Sequence, residues 1–240
     1  MQLAEILASL FPAGHQIETG EAILTGGATL PEVGHIHVLG VHGRNFLGVD
    51  DACVLSRQVV DILAGGDHRP ILLLIDSASQ RMTRRDELLG LNDYLSHLAK
   101  TLILAGARGH RVIALLYGGS AAGAFIATAL AADTMVALPG AHPEVMDLPS
   151  MARVTKLPIA VLEEKAKATP IFAPGLDNLA QTGAVLETWS PDRPLDAQLR
   201  AVLAKPPAAG QRDVLGAERN GRPKAKAIAD RIVALAQSGA

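Results

Sequence analysis

The run Ile71–Ile75 (ILLLI), entered through Pro70 and closed by Asp76, constrains this chain more than any other segment. Its consecutive large apolar residues leave no face for water. A short apolar run bounded in this way reads as a strand buried on both faces, as in a parallel sheet. Arg111–Tyr117 (RVIALLY) repeats the pattern, and Asp133–Leu138 supplies another strand. Parallel strands need long crossovers, usually helical. Thr83 and Asp86 have the spacing of a capping box. The helix predicted after them carries Leu88, Leu91, Leu95, Leu98 and Leu102 as one stripe and ends near Gly106–Gly109. Ala121–Ala132 is apolar or small on every side and predicts a helix buried all round. The alternation of strand and helix over residues 35–138 argues for an α/β architecture.

The flanks are less regular. Met1–Leu10 fits a short helix, and Gln16–Leu30 fits short strands joined by a turn at Gly26–Gly27. His35–Val41 alternates like a strand. Asp50 or Asp51 then caps a helix running to about Leu63, which Gly65–Gly66 ends. Beyond Pro139 come short helices at Ser150–Thr155, Ile159–Ala168 and Asp177–Gln181, a strand at Val185–Trp189 and a helix at Leu195–Ala204. Lys205–Pro223 reads as a loop, and Pro223–Gln237 as an amphipathic basic helix. The 240 residues fit one domain. Residues 1–20 form an N-terminal extension in this reading, and residues 205–240 a loop and basic helix.

Composition removes several function classes. A formal charge of −2 argues against nucleic acid, as does an aromatic content of 3%, which leaves few stacking platforms. A single cysteine excludes a disulfide framework and a cysteine-based zinc site. The first residues lack the basic start and apolar stretch of a signal peptide. No charge-free apolar run reaches membrane-spanning length without glycine interruption. The expectation is a soluble, cytoplasmic protein without a membrane partner.

Chemistry is best sought at two strand ends. One is Asp76-Ser77-Ala78-Ser79-Gln80-Arg81, and the other is Tyr117-Gly118-Gly119-Ser120-Ala121-Ala122-Gly123. Both put small residues at the C-terminal end of a buried strand, where α/β folds bind ligands. Small residues let a substrate approach the backbone, and a helix start offers unpaired N–H groups. Two such junctions facing each other would make an oxyanion hole. The same residues also fit a tight turn leading into a core helix.

The stretches DSASQRMTRRDE (76–87) and YGGSAAGAF (117–125) with MDLPSMARV (146–154) resemble the carboxyltransferase branch of the crotonase superfamily. More narrowly, they resemble the gamma-subunit family of biotin-independent malonate decarboxylases. The likeness covers about residues 20–235. It implies a crotonase-like ββα superhelix in which backbone amides stabilise a thioester enolate or the carboxylate exchanged with it. One donor would come from Ser77–Ala78–Ser79, and the other from Gly118, Gly119, Ser120 or Ala121. Many carboxyltransferases have glycine where this chain has Ala78 and Ala121–Ala122. The added methyl groups keep the N–H donors but narrow the space above the turn, which disfavours bulky biotin.

The resemblance further implies a homologous beta subunit, an acyl carrier protein and the alpha acyl-transferase subunit as partners. No cofactor would be bound directly. The substrate would arrive on the carrier's phosphopantetheine-type arm. Arg81, Arg84 and Arg85 are candidates for its phosphate, as are Arg219, Arg222, Lys224, Lys226 and Arg231 for the carrier's acidic surface. The competing readings are a subunit that passes carboxyl to biotin and a non-catalytic scaffold that completes the beta subunit's site.

Several residues read more simply as structural. Ser120 suits a cap or amide donor better than a nucleophile, because no G-x-S-x-G elbow surrounds it. His35 and His37 share a strand face and could ligate a metal with a third group, but read more simply as partly exposed strand residues. Cys53 reads as a small core residue and Asp76 as a group holding its turn. His142 and Glu144 follow a strand end and could reach a pocket.

Overall fold

The computed structural model describes residues 1–168, 174–207, 210–221 and 223–238. A seven-stranded sheet forms from β1 (His15–Thr19), β2 (Ile23–Leu30), β3 (Gly34–Leu47), β4 (Ile71–Gln80), β5 (Val112–Leu116), β7 (Thr134–Ala137) and β9 (Glu187–Thr188), in that spatial order. The pairs β1–β2 and β2–β3 are antiparallel, and the pairs from β3 through β9 are parallel. Two short strands, β6 (Gly119–Ala121) and β8 (His142–Glu144), pair in parallel as a separate ribbon. Among the described residues no helix is long and apolar enough to cross a membrane.

Helices cover both faces of the sheet. On one face α2 (Val49–Ala64), α4 (Leu91–Ala107) and α5 (Ala122–Ala127) pack against Leu39, Val41, Leu73, Ile75, Ala114 and Leu116. On the other, α1 (Leu3–Leu10) and α9 (Leu195–Leu203) pack with the buried Trp189 against Leu72, Leu74, Ile113 and Leu115. Successive strand residues point to opposite faces, so the run Ile71–Ile75 supplies both cores in turn. That is why its sequence shows no alternation.

Several boundaries differ from expectation. Gly26 and Gly27 lie inside β2 rather than in a turn, which instead falls at residues 20–22. Gly26 has φ +147°, and a Cβ there would sit 2.0 Å from the Gln16 carbonyl, so the glycine serves close strand pairing. Gly48 is the N-cap of α2, and the Asp51 carboxylate reaches back to its N–H at 3.0 Å. The helix expected after Thr83 is two helices, α3 (Arg84–Leu88) and α4, broken at Gly90 with φ +83°. Leu88 therefore leaves the stripe and is exposed, while Leu91, Leu95, Leu98 and Leu102 stay buried.

The helix expected over Ala121–Ala132 is only α5 followed by a 3-10 turn at Ala129–Ala131. Ile126 faces solvent, so this segment is not buried all round. Cys53 lies on the outer side of α2 and is exposed, because Ala52, Leu55, Ser56 and Val59 take the inner face.

The N-terminal segment is integral, whereas the last helix, Pro223–Ser238, has no buried residue. Ile6, Leu7, Leu10 and Phe11 are buried in the second core, and β1 extends the sheet, so residues 1–20 do not hang from it. Beyond Pro139, α6 (Leu148–Thr155), α7 (Ile159–Ala168) and α8 (Leu176–Gln181) form near the expected positions. The stretch expected to be a loop before Pro223 contains α10 (Arg212–Glu218), and α11 (Pro223–Ser238) closes the chain.

Candidate functional site

The two strand ends singled out in the sequence lie side by side. The strand β4 does not stop at Asp76 but continues to Gln80, pairing with β3 at Asn45–Ser77 and Leu47–Gln80. The segment Ser77–Ser79 is therefore strand rather than turn. Across from it runs Gly118–Gly123, first as β6 and then as the start of α5.

Side chains of β4 tie the two segments together at a constant offset of 43 residues. The Gly119 N–H donates to Asp76 Oδ1 at 2.9 Å. The Ser77 and Ser120 hydroxyls share a buried hydrogen bond at 3.0 Å. The Gly123 N–H donates to Gln80 Oε1 at 2.8 Å. Asp76 thus holds the junction, as expected, and it does so by taking an amide that an open oxyanion site would need.

Sequence dictates how closely these segments approach. A Cβ on Gly118 would lie 2.0 Å from Asp76 Oδ1, and one on Gly119 would lie 3.0 Å from the Ser77 carbonyl. Only residues without a side chain fit under the carboxylate at the first position. Ala122 begins α5 with φ +50°, a conformation that disfavours a side chain. Tyr117, just before Gly118, has a hydroxyl that is buried without a hydrogen-bond partner among the described residues. Burial, reinforced by the Asp76 charge, pushes its phenol well above the ordinary range.

The end of β3 supplies a residue that sequence reasoning missed. Its register with β4 shifts between Val41 and Asn45 and again between Asn45 and Leu47. Gly43 and Arg44 fill this bulge with φ +67° and +54°. Asn45 Nδ2 pins it by donating to the Glu21 carbonyl at 2.9 Å and the His42 carbonyl at 3.0 Å. The Arg44 side chain is carried across the site, with Nε 3.6 Å and Nη2 3.8 Å from where a Gly119 Cβ would sit. Among the described residues its guanidinium makes no hydrogen bond or ion pair.

The other arginines at this end are largely engaged. Arg81 Nε bonds Asp86 at 3.0 Å, and its other nitrogens lie near Asp50 and Asp51. Arg85 forms a two-point contact with Asp50. Asp86 also accepts from the Val49 N–H at 2.9 Å and from the Thr83 hydroxyl. The Arg81 bond does most to hold the Asp86 carboxyl far below the usual range, against the opposing effect of burial. Arg84 forms no ion pair among the described residues.

The second basic group divides: Lys224 and Arg231 stay exposed on α11 and form no ion pair among the described residues, but Arg219 turns inward. Arg219 donates to the carbonyls of Ala180, Val185 and Leu186, each at 2.7 Å, and so serves as an internal brace. Lys226 pairs with Asp230 on the same helix, and Arg222 lies outside the described residues.

His142 and Glu144 do reach β8, where they approach each other at 3.6 Å. His142 lines a cavity of about 470 Å³ with Gly175, Asp177 and Asn178. The rings of His35 and His37 stack edge to face at 5.3 Å, and burial lowers the His37 pKa. Among the described residues no group of His, Cys, Asp and Glu is arranged to hold a metal ion.

Known proteins match this chain in sequence and in fold. Residues 43–236 match the model of the malonate decarboxylase gamma subunit family, MdcE. Over 128 residues the chain is 38% identical to malonyl-S-ACP:biotin-protein carboxyltransferase MADD of Malonomonas rubra. That match spans 51% of this chain and 43% of the relative, so less than half of that protein's length is represented here.

Among solved structures, the Pseudomonas malonate decarboxylase hetero-tetramer in complex with coenzyme A has a similar chain, with a TM-score of 0.77 and 23% identity over 98% of both chains. Transcarboxylase 12S also has this fold, with a TM-score of 0.66 and 15% identity over 85% of this chain and 39% of that one. The fold is therefore the mixed α/β fold of crotonase-like carboxyltransferases, as the sequence predicts. The chain belongs to the malonate decarboxylase gamma subunit family.

Proposed function

We propose that this chain works with a homologous beta subunit in a cytoplasmic malonate decarboxylase. Malonyl-S-acyl carrier protein and a proton become acetyl-S-acyl carrier protein and CO2. The carrier's phosphopantetheine-type arm brings the substrate, and the alpha acyl-transferase subunit loads it. Coenzyme A bound in the related Pseudomonas assembly supports a pantetheine-linked substrate. The observation that carries the reading is the side-by-side fixing of Ser77–Gln80 and Gly119–Gly123 in a chain of this family.

Loss of CO2 from a malonyl thioester leaves negative charge on the thioester oxygen. An amide aimed at that oxygen acts mainly in the transition state, and one such donor is typically worth ~2.7–4 kcal/mol. The proposed donors are the backbone amides of Ser77, Ala78 and Ser79 on one side and of Gly118 to Ala121 on the other. Gly119 N–H is engaged by Asp76, which shifts the proposal toward its neighbours. Amides alternate in direction along an extended segment, so Ala121 N–H points to the same side as Gly119 N–H. Arg84 is the member of the Arg81, Arg84 and Arg85 group best placed to meet the arm's phosphate, because no carboxylate holds it.

The matched relative from Malonomonas rubra favours a second reading, in which the carboxyl group passes to biotin instead of leaving as CO2. Both are tested by reconstituting the complex with and without this chain and feeding it malonyl-S-acyl carrier protein. The expected result is CO2 release that requires both the gamma and beta chains and ignores avidin. Carboxyl transfer blocked by avidin would replace the decarboxylase with the biotin reading. Full activity without this chain would show it to be dispensable and would end both the catalytic and the scaffold readings. Full activity of this chain alone would end the two-subunit reading.

A further inference from the structure

Arg44 combines observations that a surface arginine seldom combines. It adopts a left-handed backbone conformation that Gly or Asn would hold more easily. Asn45 and the resumed β3–β4 pairing fix the bulge on its C-terminal side. Its guanidinium crosses the Gly119 peptide, which offers no side chain to obstruct a ligand. No carboxylate compensates its charge, even though Asp76 touches the same glycine, because Asp76 accepts the Gly119 N–H and forms no ion pair with Arg44. Strained backbone of this kind persists where the surroundings impose it, often at ligand sites.

We infer that Arg44 is a specificity residue that receives the free carboxylate of the malonyl unit over Gly119. The planar fork of a guanidinium matches a carboxylate with two parallel bonds, which a lysine cannot reproduce. The acetyl product has no such carboxylate, so this contact separates substrate from product. It is made mainly before CO2 departs. An interaction of that kind lowers KM more than it raises kcat. The inference rests on the decarboxylase reading above and adds the residue that recognises the substrate's distal end.

The test uses the reconstituted complex with malonyl-S-acyl carrier protein as substrate and acetyl-S-acyl carrier protein as competing ligand. Arg44→Gln should raise KM by about tenfold or more, change kcat much less, and leave acetyl inhibition unaltered. Arg44→Lys should recover part of the loss. Arg44→Asn, which tolerates the bulge conformation, should reproduce the glutamine result with an undiminished melting temperature. An unchanged KM in Arg44→Gln overturns the inference, as does an equal loss of acetyl binding. Dissociation of the variant from its beta partner also overturns it, since the guanidinium then serves the subunit contact. A wild-type complex that releases no CO2 overturns the decarboxylase reading and this inference together, whereas an active wild type with an indifferent Arg44→Gln removes this inference alone.

Discussion

Asp76 and Gly119 are joined by an N–H···O bond of 2.9 Å that exists only because Gly118 has no side chain. Gly118→Ala would set a methyl group 2.0 Å from the carboxylate and must push it away. The expected loss is about 1–3 kcal/mol from overpacking and a broken charge-assisted bond. Activity of the complex should fall with it, because the Gly119 peptide would lose its anchor. A Gly118→Ala protein with wild-type melting temperature and turnover would show that the contact is dispensable.

The buried Ser77–Ser120 pair predicts a coupled stability effect. Either alanine variant leaves one hydroxyl unpaired, at a cost of about 1–2 kcal/mol. The double variant removes both groups and should cost clearly less than the two singles added. Denaturant titrations of the four proteins give the coupling, expected at about 1 kcal/mol. Strict additivity would mean that the hydroxyls do not sense each other. Ser120→Ala should also keep substantial turnover, since Ser120 is bonded to another serine rather than to a histidine base.

The strand cores were legible because their information is local. Ile71–Ile75 and Val112–Leu116 carry enough apolar surface to declare themselves buried on both faces. Ser77–Gln80 did not, because polar SASQ resembles a turn and becomes strand only through pairing with Asn45 and Leu47. The candidate segments were legible as small residues at the ends of buried strands, resemblance narrowed their chemistry, and their mutual register came only from the fold. The ribbon β6–β8 is too short to leave a pattern. Arg44 was missed: Gly43 and Asn45 are residue types that favour turns, but nothing local says which group its guanidinium meets. Arg219 resembled part of a charged patch, whereas its acceptors lie more than thirty residues away along the chain.

Asp86 predicts a pH dependence with a definite sign. Its carboxylate ties Arg81, Thr83 and the first turn of α2, and its folded pKa lies well below the ordinary value. A depressed folded pKa contributes stability above the unfolded pKa, about 3.9, and that contribution is lost as pH falls through the folded value. Asp86→Asn should cost about 2–4 kcal/mol near neutrality, because it leaves Arg81 and the α2 amide poorly matched. The gap in melting temperature between wild type and variant should narrow as pH drops from about 5 toward 3. A gap that stays constant would assign the loss to shape rather than charge.

Arg219 predicts a local effect rather than a binding effect. Its guanidinium holds three carbonyls on both sides of residues 181–184, so it clamps the C-terminal end of α8 to the entry of β9. Arg219→Lys keeps the charge but offers one ammonium where a fork was needed. The three carbonyls cannot all be satisfied, and α10 loses one of its ties, while the Arg212 bonds to the Leu130 and Ala132 carbonyls remain. The expected loss is about 1–3 kcal/mol, concentrated in residues 176–221. Hydrogen exchange should therefore rise in that region while the amides of β4 and β5 keep their protection. If Arg219 instead served an acidic carrier surface, Arg219→Lys would leave exchange unchanged and raise KM for the carrier in a salt-dependent way. The two patterns are separable in the same preparation, since one is read without any substrate present.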